Sequence, residues 1–582
     1  MRRQPLYIGH DANACFGWLH TDEAAQARDC VAILCPPIGH EYTRAHRTLR
    51  HLADRLAARG IPALRFDYHG IGDSPGTDLD AARVDRWLAD IRAAVARAKE
   101  LTGKPRACLI GARMGATLAA MATWDTPADL LVLWNPVVKG KAFIRELQAI
   151  AMTAEREADE IEGALETAGF VMSAETIESI QPIDLLDRDI RAGRVLVVAR
   201  DDTAQDLSLS EKLSDRDIEN AYYRAPGWAG MMAEHQFTVV PDEALDHISE
   251  WVWCYTREGH SGHPEVNGHP CVGRDPEARA EHKPPSITFA ADGTNVTESA
   301  HLFGSDRHLF GLVTSAPGNK SRPAIVMFNA GSAHHVGPNR IYVTLARHLA
   351  AASYDSLRFD LESLGDSVNR NPGRENYPYP PTATADARAA LTLMKSLGYE
   401  RFIAMGLCSG AHTTYHAGLQ LVDDCIEELI MINPMSFYWK EGNSLDTSRK
   451  FEDAAAYKRS ARDPKRWLKL LRGDVNMKRM IEAIATVVRS KLRFREDPRL
   501  SSDLRKLIEE FNRPITMFIA EGDPGRDILM AGAPRTARRA MKRGRMRVEM
   551  IPDADHTFSQ FKPRRELLGK LNAHLSRRSQ PQ

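Results

Sequence analysis

A thiol stands at the tip of a tight turn in the second half of the chain. The segment Met405-Gly406-Leu407-Cys408-Ser409-Gly410-Ala411-His412 follows the apolar run Phe402-Ile403-Ala404 and precedes a stretch compatible with helix. It reads as a strand-to-helix elbow with Cys408 at its tip. Side chains flanking such a tip would collide, and Gly406, Gly410 and Ala411 keep those places small. A thiolate is a strong nucleophile once a neighbouring imidazole takes its proton. Cys408 is therefore the candidate reactive group. The plainer reading, a buried inert thiol, fits most free cysteines.

The elements around the elbow follow one rhythm. Strand Ala32-Ile33-Leu34 runs into Pro36-Pro37-Ile38-Gly39, a helix is expected over about 48–58, and strand Ala63-Leu64-Arg65-Phe66-Asp67 follows. A helix around 87–98 then leads to strand Cys108-Leu109-Ile110, the elbow-like Gly111-Ala112-Arg113-Met114-Gly115-Ala116 and strand 130–134. Apolar strands alternating with amphipathic helices predict a mostly parallel sheet flanked by helices on both faces.

The second half repeats this order, with strand 325–328, the turn Gly331-Ser332, a helix around 343–351, and Leu357-Arg358-Phe359-Asp360. The phrase Leu-Arg-Phe-Asp, followed by Gly-Asp-Ser, starts at Leu64 and again at Leu357, 293 residues apart. The elbow tips Arg113 and Cys408 are 295 apart, and the later pairs Asp202 with Asp523 and His235 with His556 are each 321 apart. Such ordered spacing predicts a tandem of two copies, over 1–258 and 286–582, the second with a longer insertion after its elbow. Residues 259–285 have linker composition. His260, His263, His269 and Cys271 in that stretch match no standard zinc spacing. Helical insertions are expected over about 139–189 and 436–512, the second rich in Lys and Arg.

Composition sets outer bounds. With 582 residues, a net charge of +0 and a pI near 7.3, the chain is expected to hold at least two domains and not to bind nucleic acid generally. No apolar run has the length of a membrane span, and a cytoplasmic location is the default expectation. The eight cysteines show no paired metal-ligand spacing, so reduced thiols, no structural zinc and no cofactor are expected.

On these motifs both halves resemble the α/β-hydrolase superfamily, specifically bacterial serine-aminopeptidase-like and exosortase-system-associated hydrolases. The likeness covers nearly the whole chain except the linker. It implies two tandem α/β-hydrolase domains whose insertions are caps, with an acid after a late strand and a histidine before the last helix. Glu521-Gly522-Asp523-Pro524 resembles the acid turn, with Asp523 as acid and Asp527 as its alternative. Asp553-Ala554-Asp555-His556 resembles the histidine loop. The resemblance places the oxyanion donors at Ser409 and at the Gly331-Ser332 turn. The first half keeps Asp202 and His235 but carries Arg113 at its tip, and a guanidinium offers no nucleophilic lone pair. That half is expected to be non-catalytic. Arg113 either binds a carboxylate or phosphate or pairs internally with Asp202 or Asp67.

The reading that results is a hydrolase or acyltransferase acting through a Cys408 acyl-enzyme, with a thioester on coenzyme A or a carrier protein as the favoured substrate. The basic cap would suit the phosphates or acidic surface of such a carrier. Alternatives are a carboxylester or lactone hydrolase of the cysteine-dependent dienelactone type, and a non-catalytic binding scaffold. Acyl-chain length, acceptor and oligomeric state are not legible.

Overall fold

The computed structural model describes residues 1–153, 161–203, 206–257, 283–318, 320–442 and 497–578. Most of the expected linker, and residues 443–496 of the expected basic cap, lie outside that set. The chain forms two compact units, Met1–Ala290 with Thr297–His301, and Ala291–Val296 with Leu302–Gln582.

The first unit holds β1 (Arg2–Ile8), β2 (Cys15–Thr21), β3 (Cys30–Cys35), β4 (Ala63–Phe66), β5 (Arg106–Ala112), β6 (Ala128–Trp134), the hairpin strands β7 (Leu165–Thr167) and β8 (Phe170–Met172), β9 (Ala192–Arg200) and β10 (Glu219–Ala225). Its eight-stranded sheet runs β1-β2-β4-β3-β5-β6-β9-β10. Only β2 breaks the parallel arrangement, pairing antiparallel with both β1 and β4. The cap region is not purely helical as expected. Between helices Gly140–Thr153 and Ala174–Ile180 it carries the antiparallel hairpin β7-β8.

Strand pairing assigns to the second sheet β11 (Ser286–Ala291), β12 (Thr294–Phe303), β13 (Leu309–Ser315), β14 (Ala324–Phe328), β15 (Ser356–Asp360), β16 (Phe402–Leu407), β17 (Ile426–Ile432), β18 (Ile515–Ala520) and β19 (Met546–Ile551). Their order is β11-β12-β13-β15-β14-β16-β17-β18-β19, parallel from β15 to β19. Alternation along each central strand splits the core in two. On β16, Phe402 and Ala404 pack on one face and Ile403, Met405 and Leu407 on the other. On β14, Ala324, Val326 and Phe328 join the first face while Ile325 and Met327 join the second. Both faces are covered, so these strands read as unbroken apolar runs and not as alternating ones.

The repeated Leu-Arg-Phe-Asp…Gly-Asp-Ser phrase does the same structural job in each half. Ser367 Oγ donates to the Asp360 carbonyl at 2.6 Å and accepts the Phe310 N–H at 3.0 Å, tying β15 to β13. Ser74 does likewise with the Asp67 carbonyl at 2.6 Å and the Phe16 N–H at 2.9 Å. Gly365 sits at φ 49°, where a Cβ would fall 2.1 Å from the Asp360 carboxylate, so the loop closes only over glycine. The duplicated phrase is thus scaffold, and the chemistry sits elsewhere.

Candidate active site

The end of β16 delivers Cys408 and helix Ser409–Gln420 carries the chain away. Cys408 has φ 58° and ψ −115°, a backbone conformation that L-residues avoid and that costs about 1–3 kcal/mol. Arg113 holds the same conformation at φ 53° and ψ −123°. Close packing fixes both elbows. A Cβ on Gly410 would stand 2.5 Å from the Phe328 carbonyl oxygen, so helix 409–420 reaches the end of β14 only because that residue is glycine. The Cys408 N–H donates to the Ile432 carbonyl, and Tyr342 Oη accepts the Leu407 N–H at 2.9 Å, which holds the tip in place. The tip is half-buried at the N-terminal end of that helix.

The two expected partners converge. Asp523 Oδ2 lies 2.6 Å from His556 Nδ1, and the ring is 7% and the carboxylate 2% exposed. Asp523 Oδ1 also accepts the Gly525 N–H at 3.0 Å, which fixes the carboxylate. The alternative acid, Asp527, is exposed on helix Gly525–Gly532. His556 Nε2 is buried with no hydrogen bond of ordinary geometry. Burial disfavours the His556 cation, but the charge of a Cys408 thiolate, then the charge and hydrogen bond of Asp523, together hold its pKa well above the ordinary value. The free nitrogen is therefore the one within the thiol's electrostatic reach.

The expected oxyanion donors divide. Ser409 is the first helical residue, so its N–H has no intrahelical acceptor. The Gly331 N–H, in contrast, donates to Ser409 Oγ at 2.8 Å and is already engaged. Ser332 Oγ donates to the Asn376 carbonyl at 2.8 Å, which braces the turn.

Two groups escaped sequence reasoning. Asn433, fully buried after β17, clamps the histidine loop through its side chain. The signal was present, because Asn135-Pro136 and Asn433-Pro434 recur after the strand that follows each elbow. The second group is aromatic. Burial first, and the Cys408 charge second, push the Tyr379 hydroxyl far above its ordinary pKa, so the ring lies within electrostatic reach of the thiol. Its ring stacks on Trp439 at 4.1 Å and meets His412 edge-on at 5.2 Å.

The first unit departs from this plan. Arg113 Nε donates to Glu41 Oε1 at 2.8 Å and Nη2 to Glu146 Oε2 at 2.7 Å. The internal pairing expected with Asp202 or Asp67 is thus corrected to Glu41 and Glu146, and the charge offered to a bound anion is already met by two carboxylates. Asp202 is instead gripped by Arg200, with one contact at 2.6 Å. His235 is pushed down to about 4 by burial and by the Arg44 charge. The first unit thus carries a guanidinium, with neither thiol nor hydroxyl, at its elbow tip.

Residues 38–171 match the family model described as serine aminopeptidase, S33, and residues 325–569 match that described as alpha/beta hydrolase family. No curated protein matches the chain. Among solved structures, the chain is similar to Est1E from Butyrivibrio proteoclasticus with ferulic acid bound, at 20% identity over 43% of this chain and 97% of that one, with TM-score 0.32. A Pyrococcus furiosus esterase aligns at 18% identity over 44% of this chain and 91% of that one, with TM-score 0.32. Proline iminopeptidase of Mycobacterium smegmatis aligns at 14% identity over 44% and 98%, with TM-score 0.30. With both halves matched by such models and both sheets built to the same plan, the chain belongs to the α/β-hydrolase superfamily, as a tandem of two hydrolase-type domains.

Proposed function

We propose that the second domain cleaves or transfers acyl groups through a Cys408 acyl-enzyme. One observation carries this reading: His556 is fixed by Asp523 at 2.6 Å on Nδ1 while its buried Nε2 is left for the thiol. In that arrangement Asp523 sets the tautomer and stabilises the imidazolium, and His556 takes the proton of Cys408. The thiolate attacks the acyl carbonyl, the leaving group departs with a proton from His556, and water or another acceptor then releases the acyl group by the reverse use of the same base. The Ser409 N–H supports the oxyanion. The first domain takes no part in this chemistry.

An acyl thioester of coenzyme A or a carrier protein is the favoured substrate, because exchange of one thiol ester for another is nearly isoenergetic. A carboxylester or lactone is a second reading, favoured by the half-buried stacked pair Tyr379 and Trp439, the former within electrostatic reach of the thiol, which suits an uncharged, flat acyl group. Intact-protein mass spectrometry after mixing with a panel of acyl thioesters and p-nitrophenyl esters tests both. Acyl mass on Cys408 supports the reading, and its absence from every substrate in a protein whose Cys408 still labels with iodoacetamide sinks it. If the basic segment of 436–512 meets an anionic carrier, the Michaelis constant for a carrier-bound thioester rises with salt while that for a small ester does not.

A further inference from the structure

Histidines facing carboxylates in this protein close to hydrogen-bonding distance: His20 on Asp54 at 2.8 Å, His69 on Asp80 at 2.7 Å, His335 on Asp360 at 2.7 Å, and His574 on Glu428 at 2.7 Å. His308 does not. Its Nε2 stands 3.9 Å from Asp386 Oδ1, beyond any hydrogen bond, although the two side chains are 6% and 3% exposed. Nor is the ring loose, since Nδ1 meets the Ser305 carbonyl oxygen. A carbonyl only accepts, so the proton sits on Nδ1 and Nε2 presents a bare lone pair. Among the described residues that buried nitrogen has no hydrogen-bond partner.

Glu362 completes the group, 7% exposed, with one donor atom from each of the three residues lying within 4.8 Å of the others. Each carboxylate is anchored through one oxygen. Asp386 Oδ2 accepts the Glu362 N–H at 2.9 Å and the Thr382 hydroxyl at 3.2 Å, and Glu362 Oε2 accepts from Arg370 Nη2 at 2.6 Å. Anchoring of this kind, with the histidine's second nitrogen on a backbone carbonyl, is how outer partners orient metal ligands. The neighbouring group His335, Asp360 and Asp366 makes the contrast. There the Asp360 oxygens accept from Asn329 Nδ2, from the N–H groups of His335 and Asp366, and from His335 Nδ1, so its bonding is complete without an ion.

A cation with bonds of about 2.0–2.2 Å at tetrahedral angles holds its donors about 3.3–3.6 Å apart, so binding one would draw His308 Nε2 and Asp386 Oδ1 together by a few tenths of an ångström from their 3.9 Å separation. We propose that His308, Glu362 and Asp386 bind a divalent transition-metal ion of the zinc type. The site joins the start of β13, the loop after β15 and helix Ala383–Ser396. It shares no residue with the Cys408 centre, and its role is to brace the second domain.

The test uses the full chain, stripped with chelator and titrated with Zn²⁺ by calorimetry and with Co²⁺ by absorption. Cys408 and the linker histidines also offer donors, so the result is the difference between parent and variants. His308→Ala should remove one bound equivalent and abolish a zinc-induced rise in melting temperature. Glu362→Gln, which keeps the side-chain volume, should weaken the same equivalent at least tenfold. The Co²⁺ lost in the variants should show ligand-field bands without a sulfur-to-metal charge-transfer band. Equal stoichiometry and affinity in parent and both variants overturn the site, as does a signal made up only of sulfur-bound cobalt. Should His308→Ala fail to fold, Glu362→Gln decides alone.

Discussion

Asn433 Nδ2 donates to the His556 carbonyl at 2.7 Å while its Oδ1 accepts the Ala520 N–H at 2.7 Å. One buried amide therefore ties the end of β17 both to the histidine loop and to the strand that runs into the acid turn. In the first domain Asn135 occupies the matching place with a similar left-handed backbone, φ 47° against 43° at Asn433. Its Nδ2 is buried without a hydrogen-bond partner among the described residues.

Asn433→Ala should therefore lower the acylation rate with little change in substrate binding. Two buried backbone groups lose their partner, each at a cost of about 1–3 kcal/mol. The expected fall is about 10- to 100-fold in single-turnover acylation, by analogy with loss of outer-shell support elsewhere. A variant that stays folded and acylates at the parental rate would remove Asn433 from the positioning argument.

Cys408→Ala should abolish acyl-enzyme formation, whereas Arg113→Ala should leave acylation by a small ester largely intact. The first variant lacks the attacking atom; the second changes a domain that supplies none. Arg113→Ala should nevertheless destabilise the protein, because Glu41, 11% exposed, loses the guanidinium that neutralises it. Breaking a buried pair costs about 3–5 kcal/mol, and partial exposure of Glu146 reduces that figure. Adding Glu41→Gln to Arg113→Met should recover much of the loss in a urea titration.

Alkylation across pH separates the proposed nucleophile from a plain thiol. With His556 taking the Cys408 proton as proposed, iodoacetamide labelling of Cys408 at neutral pH should outpace that of the other thiols and should slow in His556→Ala. Cys254, pushed up by burial and by Glu250, should still be gaining reactivity in mildly alkaline solution. Labelling of Cys408 that is no faster than that of Cys254, and unchanged in His556→Ala, would contradict the pair.

The first domain should lose stability as pH falls from about 6.5 to about 4, because three buried histidines outweigh the opposing gain from Asp67, which burial and then the Asp73 charge push up to about 7. His20, His40 and His235 are each pushed down to about 4, chiefly by burial. In that window the unfolded chain binds protons that the folded chain refuses, so their contribution is full above the unfolded pKa and is lost as pH falls through the folded one. Each histidine accounts for up to about 3 kcal/mol. A urea midpoint unchanged between pH 7 and pH 5 would refute this.

The central strands were legible because both faces are buried. Ala324–Phe328 lies over the run read from sequence, and the elbow strand follows directly from Phe402-Ile403-Ala404. Edge strands were not. Arg2–Ile8 is charged and proline-containing because it sits at the sheet margin, where Pro5 is tolerated, and Ser286–Ala291 alternates buried with exposed residues over too short a span to stand out. The first helix begins at His40, not near 48, because its early turns bury Glu41 and His46, whose polarity breaks the apolar pattern. Glu41 is buried there for a tertiary reason: it meets Arg113, 72 residues away. No local pattern carries that information. Asp523 and His556 were read from the likeness of their loops to an acid turn and a histidine loop, and the structure brings the two side chains together at 2.6 Å.

The ion-paired tip at Arg113 fixes what a nucleophile placed at the first elbow would meet. Returning a thiol there by Arg113→Cys would leave Glu41 and Glu146 facing it with no cation between them. Two carboxylates beside a thiol hold it protonated, and Asp202, engaged with Arg200, offers His235 no counter-charge. Copying the Cys408 arrangement into the first half would take changes at the tip, at both glutamates and in the acid loop together. The pair of carboxylates thus sets the electrostatics of that elbow, and no single substitution at the tip reproduces its counterpart.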